Sequence, residues 1–116
     1  MGVAVATSGP GATNLLTGIA GAFYDSVPVL FITGQVSTTR LSGGTGVRQI
    51  GFQETPIVDM AQKITKYSVQ VTNPKLVISE LEKCIQLAIS GRQGPTLFDI
   101  PDDVQRMQVY LPTGLP

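Results

Sequence analysis

Histidine and tryptophan are missing from the 116 residues, and cysteine occurs once. Without histidine there is no Ser-His-Asp or Cys-His arrangement and no conventional zinc site. The lone Cys84 excludes an internal disulfide and fits a reducing, cytoplasmic setting. It falls within an apolar helical pattern and reads as a core thiol rather than a nucleophile. Charge is also scarce: charged residues make up 14%, and eight Lys+Arg balance eight Asp+Glu, so no basic field exists for nucleic acid or an anionic membrane. No apolar run approaches the roughly 18 residues of a membrane span, and the first residues lack the charged start of a secretory signal.

What remains is an apolar, glycine-rich chain, 42% hydrophobic with 13 glycines. That is enough for one domain with a real core, and the low charge suggests apolar surface intended for a partner. Its organising stretch is residues 6–14, Ala-Thr-Ser-Gly-Pro-Gly-Ala-Thr-Asn. A β-branched run, 2–7, enters it and reads as a central, buried parallel strand. A helical pattern, 12–24, leaves it, with Ala12, Leu15, Leu16, Ile19, Ala20 and Phe23 on one face. Gly9 and Gly11 permit a sharp turn and close approach, and Pro10 stiffens it. The helix N-terminus beyond would favour a carboxylate, a phosphate or a polar ring. The competing reading is a tight turn with no ligand. Gly18 and Gly21 weaken the helix by roughly 1 kcal/mol each, which points to close packing of a neighbouring element or a second subunit.

A second buried strand is expected over 27–33. The polar segment 34–50 follows, long enough to be functional or mobile, with Arg40 and Arg48 as cations for an acidic ligand or as solvated surface. A helix is expected after Thr55 as cap and Pro56 at the first position, with Ile57, Met60, Ala61 and Ile64 as its stripe. A strand over 66–71 precedes a helix opened by Asn73-Pro74, burying Val77, Leu81, Cys84, Ile85 and Ala88 and stopped at Gly91. The last strand is 96–100, and residues 106–116 read as a linker or tail. This alternation defines an α/β domain, three-layer α/β/α with a mainly parallel sheet. Four strands are few and Met1 stands inside a strand, so elements are expected to be missing at the N-terminus.

Residues 9–14 depart from a dinucleotide fingerprint, because Asn14 occupies the third glycine position and no acid follows near Thr33. No Lys-Ser/Thr pair makes them a P-loop. Asp99, Asp102 and Asp103 are better explained as a strand end and capping turn than as a Mg²⁺ site. Phe52 and Gln53 could wall a pocket and donate to a substrate carbonyl.

Residues 6–14, Ser26-Val27-Pro28-Val29-Leu30 with Ile32-Thr33-Gly34-Gln35-Val36, Phe52-Gln53-Glu54-Thr55, Ile64-Thr65-Lys66, and Ser90-Gly91-Arg92 with Gly94-Pro95 occur in order. Together they resemble the pyrimidine-binding (PYR) domain of thiamine-diphosphate enzymes, most closely the acetolactate (acetohydroxyacid) synthase group, over residues 1–105. The resemblance implies thiamine diphosphate and Mg²⁺ held between a PYR domain and the diphosphate-binding domain of a partner subunit, in a homodimer or tetramer. It implies decarboxylation of pyruvate or another 2-keto acid and carboligation, the chemistry of branched-chain amino acid biosynthesis. Gly9, Pro10, Gly11 and Asn14 would border the pyrimidine. Phe52 and Gln53 would face the substrate, and Lys66 would lie near its access channel. The family's catalytic glutamate is absent from this chain, Glu54 not being its equivalent. The motif for Mg²⁺ and diphosphate is absent too, no metal ligand is assigned here, and FAD is possible in the parent but not encoded. The chain therefore resembles a fragment, inactive alone. The 40–49 segment is longer than is usual in that group, which leaves room for a decarboxylase of another 2-keto acid or an acyl-CoA. A non-catalytic α/β interaction module is the alternative outside enzymes.

Overall fold

In the computed structural model, which describes residues 1–109 and 111, the apolar runs form four strands. These are β1 (Gly2–Ala6), β2 (Val29–Gln35), β3 (Tyr67–Gln70) and β4 (Thr96–Pro101), all parallel and ordered β1-β2-β4-β3. Parallel neighbours require crossovers, and helices supply them. Strand β1 leads through α1 (Pro10–Asn14) and α2 (Leu16–Tyr24), β2 through α3 (Ile57–Ala61), and β3 through α4 (Val77–Ile89); α5 (Asp102–Gln105) follows β4. Among the described residues no helix is long and apolar enough to cross a membrane.

The register Ala4↔Phe31↔Leu97 fixes which side chains share a face. Phe31 and Leu97 pack with Ala12, Ile19 and Ala22 of the first helices and Ile57 and Ala61 of α3. On the opposite face Leu30 and Phe98 meet Val71 and Cys84, with Val77, Leu81 and Ile85 against them. The result is the three-layer α/β/α sandwich expected from the alternation. Cys84 is buried, and desolvation pushes its thiol up to about 11. Asn73 opens the α4 region as anticipated, its Oδ1 accepting from the Lys75 N–H at 3.0 Å ahead of a 3-10 turn, Pro74–Leu76.

Several expectations are corrected. Strand β1 is an edge among the described strands, not a central one, and Val3 and Val5 are 59% and 71% exposed. The reason is that α4 packs over β2, β3 and β4 and leaves that face of β1 open. The helix expected over 12–24 begins at Pro10 and is interrupted at Leu15, where the Leu15 N–H donates to Ala12 O in a tightened turn. Gly18 and Gly21 are exposed; a methyl group at Gly18 would reach only ordinary contact with the Phe31 ring at 3.9 Å, and one at Gly21 would meet nothing within 4 Å, so among the described residues no neighbouring element presses on either. Thr55 does not cap α3. Pro56 is the cap residue, and the Thr55 carbonyl instead accepts from Gln35 Nε2 at 2.8 Å. Met60 is exposed rather than part of the α3 stripe. Helix α5 was not anticipated; buried Val104 anchors it, and the Arg106–Asp102 ion pair at 2.9 Å spans it from its first residue to its C-cap. Of the expected tail, residues 110 and 112–116 lie outside the described residues.

Candidate functional site

The C-terminal ends of β1, β2 and β4 border an open cleft of about 750 Å³. Thr7 and Ser8 line it from β1, Gln35 and Ser37 from the end of β2, and Phe52 from the far side of the long segment; Arg40 and Asp102 complete its charged lining. This is the edge of an open parallel sheet where ligands ordinarily bind. Phe52 is 83% exposed, an apolar ring held in water at the mouth.

The glycines explain how residues 51–54 come to lie there. Gly9 has φ 65 and ψ −126, and a Cβ on it would stand 2.7 Å from Gln53 Cβ and 3.0 Å from the Gln53 carbonyl oxygen. Gln53 itself has φ 64. On the other side, a Cβ on Gly51 would press within 2.9 Å of the Val36 side chain. Gly11 is closed on Thr7, whose Cγ2 would be 2.7 Å from an added Cβ. Thus the first glycine turn and the Phe52-Gln53 block are in direct contact through Gly9 and Gln53, 44 positions apart in sequence. The expected anion cradle at a long helix N-terminus is not formed: α1 is five residues long, and Gly9 at its start is buried under Gln53.

Glu54 closes the long segment into a ring. Its Oε1 accepts from the Ser42 N–H at 2.7 Å and the Ser42 hydroxyl at 2.6 Å, and its Oε2 accepts from the Ile50 N–H at 2.9 Å. Desolvation pushes this carboxyl up, but the bonds from Ile50, Ser42 and Gly51 together outweigh it and hold it below its ordinary 4.5. Thr38 performs a similar tie, donating its N–H and hydroxyl to Asp103, which lowers that carboxyl. A second, smaller cleft of about 430 Å³ opens beside the ring, lined by Arg48, Glu54, Asp59 and Gln70, with Gln35 shared between the two clefts.

Beneath both clefts lies a group that sequence reading took for a strand-end residue. Asp99 is fully buried, and register places it between Thr33 of β2 and Gln70 of β3. Its Oδ1 accepts from Thr33 Oγ1 at 2.7 Å; its Oδ2 accepts from Gln70 Nε2 at 2.9 Å and Gln35 Nε2 at 3.1 Å. Burial raises its pKa while these three donors oppose the rise. Asp99, Asp102 and Asp103 therefore have separate partners. The signal was available: Thr33, Gln35 and Asp99 interrupt otherwise apolar strands.

The site residues expected from sequence divide into groups. Gly9, Gln53 and Phe52 are brought together. Gly11 supports the turn from inside, whereas Pro10 and Asn14 are exposed on α1. Lys66 stands apart, preceding β3 at the other end of the sheet, where its Nζ donates to the carbonyls of Leu87 and Ser90 at the end of α4. It joins no residue of the large cleft.

A glycine turn clasped by a second loop at the C-terminal edge of a parallel sheet marks an α/β domain of the ligand-binding kind. Residues 1–63 match the family described as thiamine pyrophosphate enzyme, N-terminal TPP binding domain, and the chain belongs to that family. It is 49% identical over 109 residues to the acetolactate synthase large subunit of Corynebacterium glutamicum, covering 94% of this chain and 16% of that protein. It is 46% identical over 111 residues to the chloroplastic acetolactate synthase of Arabidopsis thaliana (96% and 16%), and 49% over 113 residues to the acetolactate synthase of Arthrospira platensis (97% and 18%). The chain thus spans about a sixth of the length of the curated relatives it matches.

Proposed function

We propose that this chain forms part of the pyrimidine-binding wall of an acetolactate-synthase-like carboligase acting on pyruvate or another 2-keto acid. The observation that carries the reading is the contact of the Gly9 turn with Gln53, which sets Phe52 at the mouth of the large cleft. The residues fit such a group: the cleft has the size of a coenzyme site, with hydroxyl groups from Ser8 and Ser37 beside apolar Val5, Ile32 and Phe52. Thiamine diphosphate supplies the carbanion chemistry when bound. The chain's own residues bind and orient. Pro10 and Asn14 present the exposed edge of the wall, Phe52 shields the substrate end from water, and Gln53 faces the substrate. Arg40 offers a cation suited to a carboxylate. Among the described residues the one carboxylate lining the cleft, Asp102, is paired with Arg106, and the acid that handles the pyrimidine proton comes from outside these residues. Mg²⁺, the diphosphate site and any FAD belong likewise to other parts of the assembled enzyme, a homodimer or larger. A single buried thiol fits a cytoplasmic setting.

The test is a hybrid in which residues 1–105 replace the matching part of the Corynebacterium large subunit. With pyruvate and thiamine diphosphate it forms acetolactate. A folded hybrid yielding only the free aldehyde moves the assignment to a decarboxylase, and one that turns over no 2-keto acid overturns it.

A further inference from the structure

Asp99 takes no part in the binding wall described above, yet a fully buried carboxylate is costly unless its hydrogen bonds accomplish something. Each of its oxygens only accepts, so each donor facing it must present hydrogen. That condition fixes the orientation of Gln35. With Nε2 held toward Asp99 Oδ2 at 3.1 Å, Nε2 also reaches the Thr55 carbonyl at 2.8 Å, and Oε1 accepts from the Val36 N–H at 3.0 Å. Both amide hydrogens and the amide oxygen are thereby used. The reversed amide would set oxygen against a carboxylate and a carbonyl. Thr55 directly follows the Phe52-Gln53-Glu54 block, and Val36 is the residue against which Gly51 is pressed. One carboxylate thus sets, through one amide, both attachments of residues 51–55 to the sheet.

We infer that Asp99 is a positioning residue that, by orienting Gln35, holds residues 51–55 and hence Phe52 and Gln53 over the Gly9 turn. Gln70 and Thr33 brace the carboxylate from the two flanking strands, so it cannot swing away when Gln35 pulls on it. Burial without partners would favour an apolar residue here, as Leu97 and Phe98 illustrate on the same strand. The inference rests on the reading of residues 51–55 as part of the functional wall for its purpose, but its test involves no ligand.

In the 116-residue chain, Asp99→Leu removes the oxygen that Gln35 and Gln70 both face; Asp99→Asn would not, because its amide could keep its oxygen there and donate to the Thr33 hydroxyl instead. Hydrogen exchange at the backbone amides of residues 51–55 in Asp99→Leu rises about tenfold more than exchange in α4, after correction for global stability. Gln35→Met gives the same local rise, and adding Asp99→Leu to it gives little more, because both act through one contact. In the unaltered chain, NMR detects the Gln35 side-chain amide protons as slowly exchanging. Uniform loosening in Asp99→Leu, additive effects in the double variant, or a freely exchanging Gln35 amide overturns the inference. Should Asp99→Leu not fold, the Gln35→Met profile and the unaltered chain's amide protons decide on the same criteria. Failure here leaves the hybrid enzyme's activity unaffected as a test of the proposed function, and an inactive hybrid leaves these exchange results standing.

Discussion

Replacing Gly9 with alanine tests whether the two blocks of the wall are clasped as described. Two costs arise. The backbone at φ 65, ψ −126 lies in territory that side-chain-bearing residues rarely occupy, a strain of about 1–3 kcal/mol. The new methyl group would also stand 2.7 Å from Gln53 Cβ, with the Gln53 carbonyl oxygen at 3.0 Å and its Cα at 3.3 Å, so backbone as well as side chain must shift. Such overpacking costs about 1–3 kcal/mol. The sum, about 2–6 kcal/mol, is a large share of the roughly 5–15 kcal/mol that stabilises a domain. Urea unfolding followed by circular dichroism measures it. Gly21→Ala is the control: with nothing within 4 Å of the new methyl, it stabilises the helix by about 1 kcal/mol. Gln53→Gly removes one side of the clash and the positive-φ strain of Gln53, so it recovers part of the Gly9→Ala loss while the Gly9 backbone strain persists. If Gly9→Ala costs less than about 0.5 kcal/mol, or if the Gly9 and Gln53 changes are strictly additive, the clasp is refuted.

Three further outcomes follow from the same geometry. Glu54→Gln replaces a carboxylate that accepts three bonds with a group that cannot match them; with its exposure discounted, the loss is about 1 kcal/mol, and trypsin cleaves faster after Arg48. Because the folded pKa of Glu54 lies below 4.5, its stabilisation is complete above that pH and disappears as pH falls through the folded value, and Glu54→Gln abolishes this part of the acid sensitivity. Asp103→Asn acts in the same direction: Thr38 holds the carboxyl below 3.8, so the variant loses stability at neutral pH but shows a flatter unfolding profile below that value. Cys84, buried and raised to about 11, reacts with iodoacetamide at pH 8 only as fast as the chain opens, and equal rates in native and urea-unfolded protein would falsify its burial.

How much of this was legible in the sequence depends on the range of each interaction. The alternation of apolar runs gave the layers, because strand and helix periods are local. The α4 stripe and the Asn73-Pro74 start were legible for the same reason. The edge position of β1 was not, since a β-branched run looks alike whether or not a helix covers it. The clasp of Gly9 on Gln53 was half legible: two glycines announced a close approach, but which group approaches is decided by the fold. Thr55 looked like a cap because a hydroxyl before Pro56 is a local signal, yet its carbonyl was claimed by Gln35 from another strand. Asp99 was missed because its partners, Thr33, Gln35 and Gln70, are 66, 64 and 29 positions away. Lys66 was assigned to the substrate side by motif, while the fold sets it under the end of α4.

The central claim is that the exposed edge of the first glycine turn faces thiamine diphosphate, and Asn14 tests it most directly. Asn14 is exposed at the end of α1, so Asn14→Ala leaves the unfolding free energy of the 116-residue chain within about 0.5 kcal/mol. In the hybrid synthase, calorimetric titration of thiamine diphosphate with Mg²⁺ then shows binding weakened about tenfold, the loss of one hydrogen bond. An unchanged affinity in a folded hybrid would contradict the account.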